Sequence, residues 1–246
     1  MKKGHFMNYR SKIKNYSILM SKLIRYNLKI IFANKFLFFL LAAVGFFLLV
    51  TIINLFNSES NPTAASVYYL LLVPGILLIF YPTTFGIQND VDSRMLEVLF
   101  GIPNYRYKIW LVRIVIIYLV VFSLLVILAL LSTFALTTFP LVSMVSQLMF
   151  PIFFLGSLAF MFSTIARNGY GTAVIMVIIG VAFWVSSGFL MESKWNLFLN
   201  PFRIPTNVNE AIWADVILKN RIYLIVGTIL TLLAGLLNLQ KREKFV

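Results

Sequence analysis

Of the 246 residues, 61% are hydrophobic and 12% charged, where an ordinary soluble domain carries roughly 25% charged residues. Cysteine is absent and the only histidine, His5, sits in the basic N-terminal stretch, which excludes thiolate metal centres, disulfides, an intramembrane Ser–His dyad and a histidine-based metal site. The net charge of +13 would suit a nucleic-acid binder, but its distribution along the chain gives it another origin.

The first segment that reads as regular structure is Tyr16–Lys35. Lys22, Arg25 and Lys29 share one narrow stripe, and Leu19, Met20, Leu23, Ile24, Ile30 and Ile31 cover the opposite side, as in a helix lying in a membrane interface. It serves as a simple anchor or as an elbow helix that also meets a cytoplasmic partner. Six long, nearly charge-free runs follow: Phe36–Phe56, Val67–Ile87, Ile109–Leu136, Leu141–Ile165, Tyr170–Met191 and Ile222–Gln240. A helix needs roughly 20 apolar residues to cross about 30 Å of hydrocarbon, and each run is near or above that length. The predicted fold is all-α: a polytopic membrane protein with six transmembrane helices. No cleavable-signal pattern precedes the first run, since no small-residue cleavage site stands close behind its apolar part.

Between the runs, the segments differ in character. Asn57–Ser66 is short and turn-rich. The second run holds Pro74-Gly75 near its middle and Pro82 near one end; proline removes a ladder hydrogen bond, so the pair is either a packing feature or a bend that moves during gating. In Gln88–Lys108, Asp90 or Asp92 can cap a short helix ending near Gly101 and closed by Pro103. Val91, Met95, Val98 and Ile102 form one apolar face of it, and Asp90, Arg94 and Glu97 another. The segment is either a solvated interfacial helix or one that docks a protein. Ala166–Gly169 is a tight basic turn. Glu192–Arg221 is too apolar for a plain linker, with Trp195, Leu197, Phe198, Leu199, Phe202 and Ile204 suited to an interface or to dipping back into the protein. Asn207-Val208-Asn209-Glu210 has the spacing of a capping box and predicts a short helix toward Asn220 containing Trp213.

With six crossings both termini fall on one side. Only Lys194, Arg203, Lys219 and Arg221, of the 21 lysines and arginines, fall on the other. The positive-inside rule then places both ends in the cytoplasm of a cell-membrane protein, and the basic excess faces anionic headgroups rather than nucleic acid. All eight carboxylates lie in loops or at boundaries, outside the core of every run, so the intramembrane ionisable group usual in ion-coupled carriers is missing. No G-x-x-x-x-G-K-[ST] phosphate loop is present. Asn54, Tyr68, Tyr69, Tyr81, Ser132, Thr133, Ser186 and Ser187 are the main polar groups in or near the runs, a set expected to bond between helices.

Six spans, cytoplasmic ends, an interfacial N-terminal helix and a structured loop after the second span together resemble the permease subunits of type-2 ATP-binding cassette (ABC) exporters. The local match is Asp92-Ser93-Arg94-Met95-Leu96-Glu97-Val98-Leu99-Phe100-Gly101-Ile102-Pro103 followed by Arg106 and Arg113. A second is Ser187-Gly188-Phe189, followed by Asn200-Pro201-Phe202. Arg113 stands where that family often has lysine, and Phe100-Gly101 where small residues are common.

The resemblance implies a cytoplasmic coupling helix over Asp90–Pro103, with Asp90, Asp92, Arg94, Met95, Glu97, Val98, Pro103 and Arg106 engaging a separate ATPase. Gly188, Phe189, Pro201, Phe202 and Trp213 would shape an extracytoplasmic gate, and Pro74 and Gly75 a bend in the pathway. It further implies two ATPase copies that bind ATP and Mg, a second permease chain, and no catalysis by this chain itself. The alternative is a stand-alone channel, secondary carrier or membrane scaffold without an ATPase.

Overall fold

The computed structural model describes residues 36–57, 61–92, 106–206 and 208–239. The predicted N-terminal interfacial helix, and Arg94, Met95, Glu97, Val98 and Pro103 of the predicted coupling helix, lie outside them.

Among the described residues six α-helices form, in chain order α1 (Phe36–Phe56), α2 (Ala64–Asp92), α3 (Val112–Ala135), α4 (Leu141–Ala166), α5 (Gly169–Phe189) and α6 (Glu210–Asn238); a π-helical turn over Arg106–Leu111 leads into α3. All six are long and apolar enough to cross a membrane. In hydrocarbon no water satisfies backbone N–H and C=O groups, so a run of Leu, Ile, Val and Phe closes its own hydrogen bonds as a helix.

The helix ends follow local chemistry. Thr63 and Ser66 bracket the start of α2 reciprocally, Thr63 N–H donating to Ser66 Oγ at 2.9 Å and Ser66 N–H to Thr63 Oγ1 at 3.3 Å. Arg167 closes α4 with a left-handed backbone, φ 54°, and the Asn168 side chain then accepts from the Tyr170 and Gly171 amides to start α5.

Two helices run past the bounds read from sequence, α2 to Asp92 and, further, α6 back to Glu210. The helix predicted to end near Asn220 does not stop there but continues as α6, capped by Asn209, whose Oδ1 accepts from Ala211 N–H at 3.0 Å. Asp215, Lys219 and Arg221 weaken the apolar signal over its first turns without breaking the helix. Asp215 and Lys219 pair one turn apart at 2.6 Å, and Arg221 finds partners inside the protein.

The helices assemble as a row, α1 on α2, α2 on α4 and α4 on α6, with α3 and α5 each leaning on both α2 and α4. Accordingly 67% of the most apolar stretch of α4 is buried inside the protein, against 22% for α1 and 11% for α5. The core is built from Tyr68, Leu71, Leu78 and Ile79 of α2, Leu125 of α3, and Met144, Leu148 and Ile152 of α4.

The α4–α6 seam shows how the bundle holds without a hydrophobic drive between helices. Gly227, Thr231 and Gly235 recur every fourth residue of α6 and face Phe154, Ser157 and Phe160 of α4. Small residues let the backbones approach, and Ser157 and Thr231 share a 2.7 Å hydrogen bond across the seam. A Cβ on Gly235 would sit 2.7 Å from the Phe160 ring and 3.3 Å from Met161 Cα. Leucine there is expected to pry the helices apart at a cost of about 1–3 kcal/mol. The thermal midpoint of the detergent-solubilised protein measures it, with Gly45→Ala, whose surroundings are open, as the variant expected to change nothing.

Most hydroxyls and amides expected to bond between helices instead cap carbonyls of their own helix: Asn54 on Val50, Ser132 on Leu128, Thr133 on Ala129, Ser186 on Phe183 and Ser187 on Trp184. The inter-helix bonds come from other residues, among them Tyr118 to the Phe153 carbonyl at 2.9 Å and Ser163 to the Thr84 carbonyl at 2.9 Å.

Candidate functional site

At the end of the bundle where α2 stops and α3 begins, an ion pair is enclosed. Arg113 donates through Nη1 to Asp90 Oδ2 at 2.7 Å, and both side chains are almost wholly buried. The guanidinium lies 4.6 Å above the Trp110 ring. Asp90 is therefore neither a helix cap nor part of an open polar face: it sits in the last turn of α2 and is committed inside the chain. A carboxylate does enter an apolar helix, and it is there because a cation one loop away neutralises it.

The same end gathers other ties. Gly169 N–H donates to Gln88 Oε1 at 2.6 Å, joining the start of α5 to α2, and Asn238 Nδ2 donates to the Thr164 carbonyl at 2.7 Å. Phe39 of α1 stacks on Tyr81 of α2, Tyr81 on Phe85, and Phe85 meets Tyr170 of α5 edge-on. Asp92, by contrast, ends α2 exposed, and Arg106 opens the π-helical turn.

At the opposite end, the loop between α5 and α6 folds back into the protein. Residues 196–200 are buried throughout, so their backbone groups need partners that water does not supply. Asn196 and Asn200 turn the chain by accepting from the Phe198 and Phe202 amides, each at 3.0 Å. Asn200 Nδ2 reaches the Ala65 carbonyl of α2 at 2.8 Å. Asn220 Nδ2 donates to the carbonyls of Lys194 and Asn196, both at 2.8 Å. Arg221 donates from Nε to Gln147 Oε1 at 2.7 Å, from Nη1 to Asn220 Oδ1 at 2.9 Å and from Nη2 to the Leu199 carbonyl at 3.2 Å. One buried guanidinium thus joins α4, α6 and the loop.

This folded loop walls a cavity of about 420 Å³ whose lining includes Tyr69, Trp184, Gly188, Glu192, Arg203 and Trp213. Two further hollows adjoin it. One of about 280 Å³ lies among α2, α4 and α5, and one of about 410 Å³ lies chiefly between α1 and α2. Trp184 borders all three, and Val73 and Ile76 border both apolar ones, so the two apolar hollows flank α2 as a groove, with Trp184 beside the loop cavity.

Of the residues expected to shape a gate, Gly188 and Trp213 line the cavity and Phe202 packs on Tyr68 with ring centres 6.1 Å apart. Phe189 points away and is 88% exposed, and Pro201 is half-buried. Pro74 and Gly75 are buried inside α2, and a Cβ on Gly75 would strike Ile152 of α4. They face the core rather than the groove. Asn196, Asn200, Asn220, Gln147 and Arg221 escaped the sequence reading as a set. The available signal was an Asn-Arg pair at the edge of an apolar run, beside a loop rich in buried-type residues.

The class this architecture defines is a polytopic α-helical bundle with six helices apolar enough to span a membrane. Compared with known protein families, with characterised proteins and with solved structures, the chain gives no match.

Proposed function

We propose that the chain is the membrane-spanning permease subunit of a type-2 ABC exporter, working as a dimer with two copies of a separate ATPase that holds ATP and Mg. The observation that carries this reading is the buried Asp90–Arg113 pair. The segment between Asp92 and Arg106, where the sequence resembles a coupling helix, lies in the chain between α2 and the turn into α3, two elements joined by that pair. Force applied to the segment by a nucleotide-driven partner would reach α2 and α3 together and bias the bundle between two arrangements.

Two further features support the reading. α1 and α5 leave most of their apolar surface uncovered, and the groove they flank lies along α2, where a second copy would complete a pathway. Both termini, and the coupling segment, belong on the cytoplasmic side by the basic-residue asymmetry.

The decisive experiment is isolation of the tagged chain from its native membrane in mild detergent. An ATPase carrying a phosphate loop should accompany it, and the chain freed of that partner should hydrolyse no ATP. Recovery of an intact dimer with no such partner would leave the stand-alone channel, carrier or scaffold as the better account. Glu97→Lys, or proline at Met95, should then leave the protein in the membrane and ATP turnover present while transport falls, by about tenfold for loss of one charge-assisted contact. Unchanged transport in both variants removes the coupling role of Asp90–Pro103.

A further inference from the structure

The ties at the Asp90 end set a common level for the helices. Along α2, Arg113 of α3 meets Asp90, Tyr170 of α5 meets Phe85, and Phe39 of α1 meets Tyr81. α6 joins through Asn238 on Thr164, next to the bond from Ser163 to the Thr84 carbonyl. Counted through these partners at about 1.5 Å per residue, Phe56, Phe134, Phe189 and Tyr223 all lie roughly 31–39 Å from the level of Asp90. No charged residue stands between on α1, α3, α5 or α6. A hydrocarbon core is about 30 Å thick, and about 40–45 Å with both headgroup layers. All four aromatic residues therefore fall just past the core.

Their surroundings change character at that height. Phe56, Phe134 and Phe189, at 87%, 87% and 88%, are the most exposed large apolar side chains among the described residues. Tyr223 stacks on the exposed Trp195, ring centres 4.5 Å apart, and the Lys194 ammonium lies 5.7 Å from each ring. Tryptophan, tyrosine and lysine share an apolar body and a polar tip, which suits them to the layer between hydrocarbon and water. On α6 the exposed ion pair Asp215–Lys219 stands beyond this stack, and exposed Ile225, Ile229 and Leu233 follow it. The register of α6 on α4 agrees: Gln147 bonds Arg221, Ser157 bonds Thr231, and Thr164 bonds Asn238, each pair 74 residues apart. Leu141, the first residue of α4, thus falls opposite Asp215, and residues 210–214 overhang.

We infer that Phe56, Phe134, Phe189 and the Trp195–Tyr223 stack form a collar seated in the headgroup layer of the leaflet at the loop end, with residues 210–219 of α6 standing clear of the hydrocarbon. The partner is a lipid surface rather than a protein. The collar lies at both ends of the helix row, on α1 and on α6; a bilayer surrounds both, whereas one docked protein covers a single side. The inference needs the six helices to cross a bilayer but needs neither an ATPase nor a second chain.

The chain holds no cysteine, so a single introduced thiol reports only its own surroundings. Ile212, Leu218, Ile229 and Leu233 are 47–60% exposed in the protein itself, so differences among them come from the bilayer. The full-length variants are reconstituted in vesicles of equal parts phosphatidylcholine and phosphatidylglycerol, with a charged maleimide on both sides. Ile212→Cys and Leu218→Cys should label freely. Ile229→Cys and Leu233→Cys should label about a hundredfold more slowly, because the reacting thiolate is a charge that hydrocarbon expels. A fluorophore on cysteine at Phe56, Phe134 or Phe189 should be quenched more by lipids brominated near the carbonyl than by lipids brominated near the chain end. Val177→Cys, midway along α5, should show the reverse order.

Protection of Ile212→Cys and Leu218→Cys to the level of Leu233→Cys would bury the start of α6 in hydrocarbon and overturn the inference. Free labelling of Ile229→Cys and Leu233→Cys, or collar positions quenched in the same order as Val177→Cys, would overturn it as well. No ATPase enters either measurement, so the exporter role is judged separately by its own isolation experiment.

Discussion

Leucine at Asp90 is expected to destabilise the bundle by about 3–5 kcal/mol, because it strands the buried Arg113 guanidinium without its carboxylate. Stacking on Trp110 compensates only part of that loss, since the arginine Nε is already without a hydrogen-bond partner. Unfolding of the detergent-solubilised protein by heat or denaturant measures it. The double variant Asp90→Leu with Arg113→Met should recover most of the stability, since two apolar side chains replace a buried ion pair at little net cost.

The two variants separate structure from function. If the pair transmits force from the Asp92–Arg106 segment, the double variant should be stable yet poorly coupled, hydrolysing ATP with its partner while transporting little. Full transport by that variant would reduce the pair to a structural feature.

The second large effect is expected at Arg221. Methionine keeps much of the side chain's bulk but withdraws three hydrogen bonds, leaving Asn220 Oδ1 and the Leu199 carbonyl buried, and Gln147 Oε1 partly buried, without the arginine donor. Each uncompensated group costs about 1–3 kcal/mol, and relaxation of the loop should recover some of it. The loss should be local first. Limited proteolysis should cut residues 190–209 many times faster in Arg221→Met than in the unmodified chain, while the helices resist. Arg221→Lys, which keeps the charge but not the three-way geometry, should fall between the two. A loop as resistant as the original would show that Asn200 and Asn220 suffice to hold it.

These two residues also mark how far the sequence could be read. Arg113 and Arg221 each register as a charge at the edge of an apolar run, which fixes their depth but not their partners. Asp90 lies 23 residues from Arg113 along the chain, and Gln147 lies 74 from Arg221, so no local pattern connects either pair. The small-residue stripe of α6 was spaced visibly, yet only the phenylalanines of α4 show what it receives.

The six helices themselves were determined by sequence, because an apolar run satisfies its backbone within itself and needs no information from elsewhere in the chain. Where a helix passes beyond its apolar run, the outcome depends on tertiary partners. α2 reaches Asp92 because Arg113 neutralises Asp90. α6 starts at Glu210 because an Asn cap, an Asp215–Lys219 pair and a buried node around Arg221 satisfy its polar first turns. The cavity and its groove likewise exist only once the loop has folded back among α2, α4 and α6, since burying it takes hydrogen-bond partners from all three: the Ala65 carbonyl of α2 as acceptor, Asn220 of α6 as donor, and Gln147 of α4 as acceptor for Arg221.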